Sequence, residues 1–237
     1  MKLYAYCLTE GLDSVSESLR AIGGDRVRLV RAQDFSILVS DFAGDTVTIN
    51  RDNALAHAAV VRSVLGETTP LPFRFGTLVT EQQLENYVTA RSEALKSKFD
   101  LVRGCVEMSV KIIWDREWTE DPNIENSGKP GASFLAEKRR EIIGSDARAE
   151  AAKTIARWLE ACLGDSVRDK ALRTDFKGKL IVTAAHLVEW GSIEPYKIRL
   201  KNARHERPEL HFLASGPWPP YSFANIDLEF KTRFGVS

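Results

Sequence analysis

The side chains best suited to catalysis or metal binding are four histidines, His57, His186, His205 and His211, and three cysteines, Cys7, Cys105 and Cys162. Local metal-ligand motifs show themselves by spacing, whereas a Ser/His/Asp triad can be assembled from distant residues, and nothing here favours particular members. No HxxxH, HxH or CxxC occurs. The Gly-Lys pairs at Gly128 and Gly178 lack the spacing of a phosphate-cradling loop and its following Ser or Thr. Neither a GxGxxG turn nor a GxSxG elbow is present. The carboxylates are scattered, with no pair that suggests acid–base work. Glu107 and Lys111, on one face of a strand pattern, read as solvated or cross-strand-paired charges. His57 lies in a helical pattern without a ligand-spaced neighbour and reads as an interface or surface residue. The mixed-charge run Glu137–Glu141 reads as a solvated helix face. This pattern argues against an enzyme, and no cofactor, metal or small-molecule substrate is expected.

Binding chemistry is better represented. In Pro70-Leu-Pro-Phe-Arg-Phe-Gly-Thr77 two prolines fix the backbone, and Gly76 permits a positive φ. Phe73 and Phe75 alternate with Arg74, so a short extended piece is expected to bury two rings on one side and offer a guanidinium on the other. The run reads either as a rigid, packed connection between helices or as a mount holding Arg74 for a partner. A second cluster is Ser215-Gly-Pro-Trp-Pro-Pro-Tyr-Ser-Phe223, whose prolines exclude helix and central strand. Trp218, Tyr221 and Phe223 either pin the C-terminal segment to the core or form a partner surface. The candidate partner-binding residues are Phe73, Arg74, Phe75, Trp218 and Tyr221.

The elements that carry these groups can be read in order. Lys2–Leu8 alternates as a strand, with Leu3, Ala5 and Cys7 on one face and Tyr4, Tyr6 and Leu8 on the other. Ser14 and Glu17 have capping-box spacing and predict a helix that stops at Gly23-Gly24. Val27–Val30 and Phe35–Val39 are strands joined around Gln33. A helix from Arg51 is expected to bury Leu55, Ala58, Ala59, Val61, Val64 and Leu65. Thr80 and Gln83 open a long amphipathic helix that Gly104 ends, and Cys105–Asp115 alternates as a strand. This order is that of a ferredoxin-like β-α-β-β-α-β sandwich over residues 1–115.

Residues 116–133, rich in Pro, Gly, Asn and Ser, read as a linker. Residues 134–237 are expected to form a C-terminal α+β domain with long helices and a small antiparallel sheet. Its helix runs to about Arg173, Lys179–Val188 and Leu210–Ala214 are strands, and Ser192–Arg207 is helical. The Pro/aromatic tail is assigned to this domain.

Composition limits the setting. The chain has 237 residues, 28% of them charged, and a formal net charge of zero, so neither half offers the basic excess of a nucleic-acid domain. The strand Phe35–Ser40 also lacks the aromatic pattern of an RNA-recognition module. Three widely spaced cysteines form no disulfide framework and point to a reducing compartment. No apolar run approaches the ~18 residues of a membrane span, and the N-terminus lacks a signal-peptide core.

Three motifs then converge in order: Leu3-Tyr-Ala-Tyr6, Leu71-Pro-Phe-Arg-Phe-Gly-Thr77 and Gly104-Cys-Val-Glu-Met-Ser-Val-Lys111. Gly216-Pro-Trp-Pro-Pro-Tyr-Ser-Phe-Ala224 follows near the C-terminus. Together they resemble the gas vesicle protein F/L family over nearly the whole chain. Met108 departs from the pattern, since many relatives carry an aromatic residue there. The resemblance implies a non-enzymatic, cytoplasmic accessory or minor structural protein of gas vesicles. Its partners would be the major shell protein and other accessory proteins, with no nucleic acid and no membrane. The competing reading is a ferredoxin-like small-molecule-binding protein or enzyme, which a concave pocket with several titratable side chains would favour.

Overall fold

From Leu3 to Thr9 every residue is at most 2% exposed, and the N-terminal part of the molecule is laid down around this strand. The computed structural model describes residues 2–114, 148–175, 180–224, 226 and 234–235. The chain is an α+β protein of helices and mainly antiparallel sheets. It forms two compact units, one of residues 1–107 and 216–237 and the other of residues 108–215. The expected linker at 116–133 and the charged run at Glu137–Glu141 lie outside the described residues.

In the first unit β1 (Lys2–Glu10) is central, with β2 (Arg28–Ala32) and β3 (Phe35–Phe42) stacked antiparallel on one side. β2 and β3 are joined by a two-residue hairpin in which Gln33 takes φ 52°. The short β4 (Val47–Thr48) pairs in parallel with β11 (Phe234–Gly235). Helix α1 (Arg51–Ser63) follows, capped by the Asn50 side chain on the Asn53 N–H. On the other side of β1 lie β5 (Leu71–Pro72) and β6 (Leu78–Val79), both antiparallel to it. Helix α2 (Glu81–Val102) opens with the predicted capping box, in which Thr80 and Gln83 each bond the other's backbone N–H. It kinks at Arg91, where φ is −124°. Phe99 of α2 stacks on Phe35 with ring centroids 5.4 Å apart.

Four features differ from the sequence reading. The stretch Asp13–Gly23 is an irregular loop, not a helix. Local bonds compete with the helix ladder there: Ser16 Oγ accepts from the Ser18 N–H, and the Ile22 N–H is taken by the Tyr6 hydroxyl. A register shift between Ala5 and Cys7 breaks strict alternation, so Cys7 joins Tyr4 and Tyr6 in one core cluster. On α1 the buried residues are His57, Val60 and Val61, followed by Val64, while Leu55, Ala58 and Ala59 are exposed. Lastly, β7 (Cys105–Trp114) does not complete the first sheet. The proline-containing β5 and β6 occupy that edge, where a residue without an N–H is tolerated.

In the second unit the described helix α3 covers 148–163 and buries Ala152, Ile155, Ala156, Leu159 and Leu163. It ends in a 3-10 turn at Gly164–Ser166, and the chain turns into β8 (Asp169–Asp175) rather than continuing as helix to Arg173. β8 pairs antiparallel with β9 (Leu180–Glu189). Helix α4 (Ile193–Glu206) buries Tyr196, Leu200 and Ala203. The strand β10 (Leu210–Trp218) completes a sheet in the order β10-β7-β9-β8. The division between units falls within β7 and within β10. The Pro/aromatic tail therefore packs with the N-terminal unit and not with the C-terminal one, held there by contacts described next.

Candidate partner-binding site

The backbone of residues 71–79 follows β1 along its length, except for one tight turn that stands out from it. Phe73 N–H donates to the Tyr6 carbonyl (2.9 Å), and Ala5 N–H donates to the Thr77 carbonyl (3.0 Å). Between them Thr77 N–H and its hydroxyl both donate to the Arg74 carbonyl, at 3.2 and 2.7 Å. Gly76, with φ 84°, is the third residue of this four-residue turn, the position that requires a positive φ in a type II geometry. The sequence run is thus a β-turn set into an edge strand.

That turn is fastened to α1 through Tyr4. Its buried hydroxyl accepts from the Gly76 N–H (3.0 Å) and lies 2.8 Å from His57 Nδ1. The arrangement that uses the hydroxyl proton has it donated to Nδ1, which places the imidazole proton on Nε2. Nε2 is buried without a hydrogen-bond partner among the described residues. Burial lowers the His57 pKa to about 4, so the ring is neutral. Burial also raises the Tyr4 pKa, against a smaller lowering by the Gly76 N–H. The histidine expected at a surface or interface is therefore a core residue, 4% exposed, edge-on to Tyr4 and Phe75 and stacked on Tyr6.

A third segment reaches the same cluster. After Pro219-Pro220 the chain makes one helical turn, α5 (Tyr221–Ala224), although the prolines had pointed away from helix. Proline is tolerated at a helix start, where its missing N–H has no partner to lose. Glu107 holds this turn: its carboxylate accepts from the Ser222 N–H (2.7 Å) and hydroxyl (2.9 Å). Glu107 is 7% exposed, not a solvated strand charge. Burial raises its pKa, and the two Ser222 bonds partly oppose this.

The five candidate residues divide. Phe73 is 1% exposed and supports the turn from within the core, so it offers no surface to a partner. Phe75 is half-buried against Tyr4 and His57, and Arg74 at the tip is exposed. Trp218 and Tyr221 are 39% and 41% exposed. Arg62 of α1 lies over the Trp218 ring at 5.6 Å, which joins the tail to the outer face of α1. That face carries Leu55, Ala58 and Ala59, one and two turns before Arg62, and Leu55 is 56% exposed. The helical pattern had assigned these residues to the core. The helix instead turns His57, Val60 and Val61 inward, with His57 held by Tyr4.

The exposed stripe of α1 and the turn tip thus stand over a packed aromatic cluster of Tyr4, His57 and Phe75. Among the described residues no three His, Cys, Asp or Glu gather as metal ligands, and no helix is long and apolar enough to cross a membrane. The family model for the gas vesicle synthesis protein GvpL/GvpF matches residues 2–225, and the chain belongs to that family. It is 25% identical to gas vesicle protein F1 of Halobacterium salinarum, covering 98% of this chain and 97% of that one. It is 26% identical to gas vesicle protein L of a Streptomyces species, covering 94% and 92%. The crystal structure of GvpF from Microcystis aeruginosa superposes with a TM-score of 0.77 over 95% of this chain and 99% of that one, at 20% identity. The chain is thus a gas vesicle accessory protein involved in gas vesicle formation.

Proposed function

We propose that this protein acts in gas vesicle assembly by binding the major shell protein, alongside other accessory proteins, through the exposed stripe of the N-terminal unit. A protein that lines a gas space must present an apolar face, and that face needs cover until it polymerises. The observation that supports this reading is the run Leu55, Ala58, Ala59 and Arg62 continuing into Trp218, with Tyr221 beside it. Small side chains on α1 let an apolar partner approach closely, and Trp218 supplies the large, rigid contact typical of binding hot spots. Arg74 and Phe75 at the turn tip border the same aromatic cluster. The association takes place in the cytoplasm and at the vesicle shell.

The test is co-expression with the major shell protein followed by affinity capture. Leu55→Glu and Trp218→Ala are expected to lower recovery about ten-fold or more, and Arg74→Ala less. Unchanged recovery for both Leu55→Glu and Trp218→Ala, with native circular dichroism, would overturn the assignment of this surface.

A further inference from the structure

The C-terminal unit holds a cavity of about 240 Å³ that the assembly reading leaves without a role. Its polar lining is Glu160, Arg168, Asp169, Lys170 and His186, two acids against two bases and an imidazole. His186 is 1% exposed, and its Nδ1 is 2.8 Å from the hydroxyl of the fully buried Tyr196. The arrangement that leaves the fewest groups unmatched has the hydroxyl donating to Nδ1 and the ring proton on Nε2. That Nε2 has no hydrogen-bond partner among the described residues. A buried donor left unmatched is rare in native folds and calls for an acceptor from elsewhere. Beside it Lys170 pairs with Glu160, and Arg168 donates to Glu189 at 2.7 Å.

We propose that this cavity binds a small oxyanion, a carboxylate or phosphate group, which accepts from His186 Nε2–H and draws Lys170 away from Glu160. Among the described residues no group of three His, Cys, Asp or Glu gathers there to hold a metal ion. The volume is below the ~300–1,000 Å³ of drug-sized pockets, which restricts the ligand to a small molecule or a single acidic group. The Lys170 and Glu160 side chains are 44% and 28% exposed, so exchange between Glu160 and a ligand needs no unfolding.

The full chain, labelled at histidine ring nitrogens, is titrated with succinate and separately with inorganic phosphate, with sodium chloride as the ionic-strength control. A saturable shift of the His186 Nε2–H resonance is expected at millimolar concentration in at least one arm, and that arm identifies the anion. His57 in the other unit should not move. Lys170→Gln should weaken binding about ten-fold, by loss of one charge-assisted bond. Glu160→Gln removes the competing carboxylate and should tighten binding several-fold. No saturable response to either anion in both the native chain and Glu160→Gln would overturn the proposal. So would a response matched by chloride or unchanged by Lys170→Gln. Neither result bears on shell-protein capture, which reads the other unit.

Discussion

Mild acid should destabilise this protein well above the range where its carboxylates titrate, because two neutral imidazoles are locked into its cores. His57 and His186 each have a pKa lowered to about 4, first by burial, against about 6.5 when unfolded. A lowered histidine pKa contributes stability that is present above about pH 6.5 and is lost as pH falls toward 4, because the unfolded chain binds the proton first. At 1.36 kcal/mol per pKa unit the full loss is about 3 kcal/mol per ring, and by pH 5 about 2 kcal/mol per ring. Two rings together reach about 4 kcal/mol at pH 5, a large part of a typical 5–15 kcal/mol. Glu107 acts in the opposite sense. Its raised pKa stabilises below the ordinary carboxylate value and loses that contribution as pH rises through its folded value. The measurement is the urea midpoint from tryptophan fluorescence between about pH 7 and pH 5. His57→Phe and His186→Phe should each remove roughly half of the pH slope, whatever they do to stability at pH 7. A flat native profile, or a full slope surviving in the double variant, would refute the reasoning.

Three further outcomes follow from single contacts. Tyr4→Phe strips partners from both the Gly76 N–H and His57 Nδ1 and should cost about 2–4 kcal/mol in denaturant titration. Glu107→Ala leaves the Ser222 N–H without its acceptor; hydrogen exchange across 216–224 should accelerate, with a cost of about 1–3 kcal/mol. Thr80→Ala removes one half of the capping box on α2 and should cost about 1 kcal/mol, seen as a shift in urea midpoint at constant slope.

Local rules carried much of the fold. The capping box at Thr80 and Gln83, the hairpin at Gln33 and the stop at Gly104 depend on neighbouring residues, and all appear as the sequence predicts. The misreadings arise where distant segments decide. Whether Ser14–Glu17 caps a helix depends on the Tyr6 hydroxyl claiming Ile22. Whether Leu55 or His57 faces inward depends on Tyr4, 53 residues from its histidine partner. Glu107 looked solvated because its partner, Ser222, lies 115 residues away. At the site, the rigidity of residues 70–77 was legible from two prolines and a glycine. The burial of Phe73 was legible from its alternation with Arg74, whereas the cavity at His186 was not, since it is closed by elements that sequence spacing does not bring together.

The N-terminal unit is discontinuous, and the C-terminal unit is threaded into it as an insertion at residues 108–215. A ribosome therefore delivers the whole second unit before it delivers Trp218, Tyr221 and Ser222. Until then Glu107 lacks its ligand, and the outer face of α1 lacks its aromatic end. Loop-closure entropy grows only slowly with length, so a 115-residue detour is an inexpensive way to defer this step. On the proposed assembly reading, a nascent or C-terminally truncated chain would carry the scaffold without the aromatic end of its binding surface.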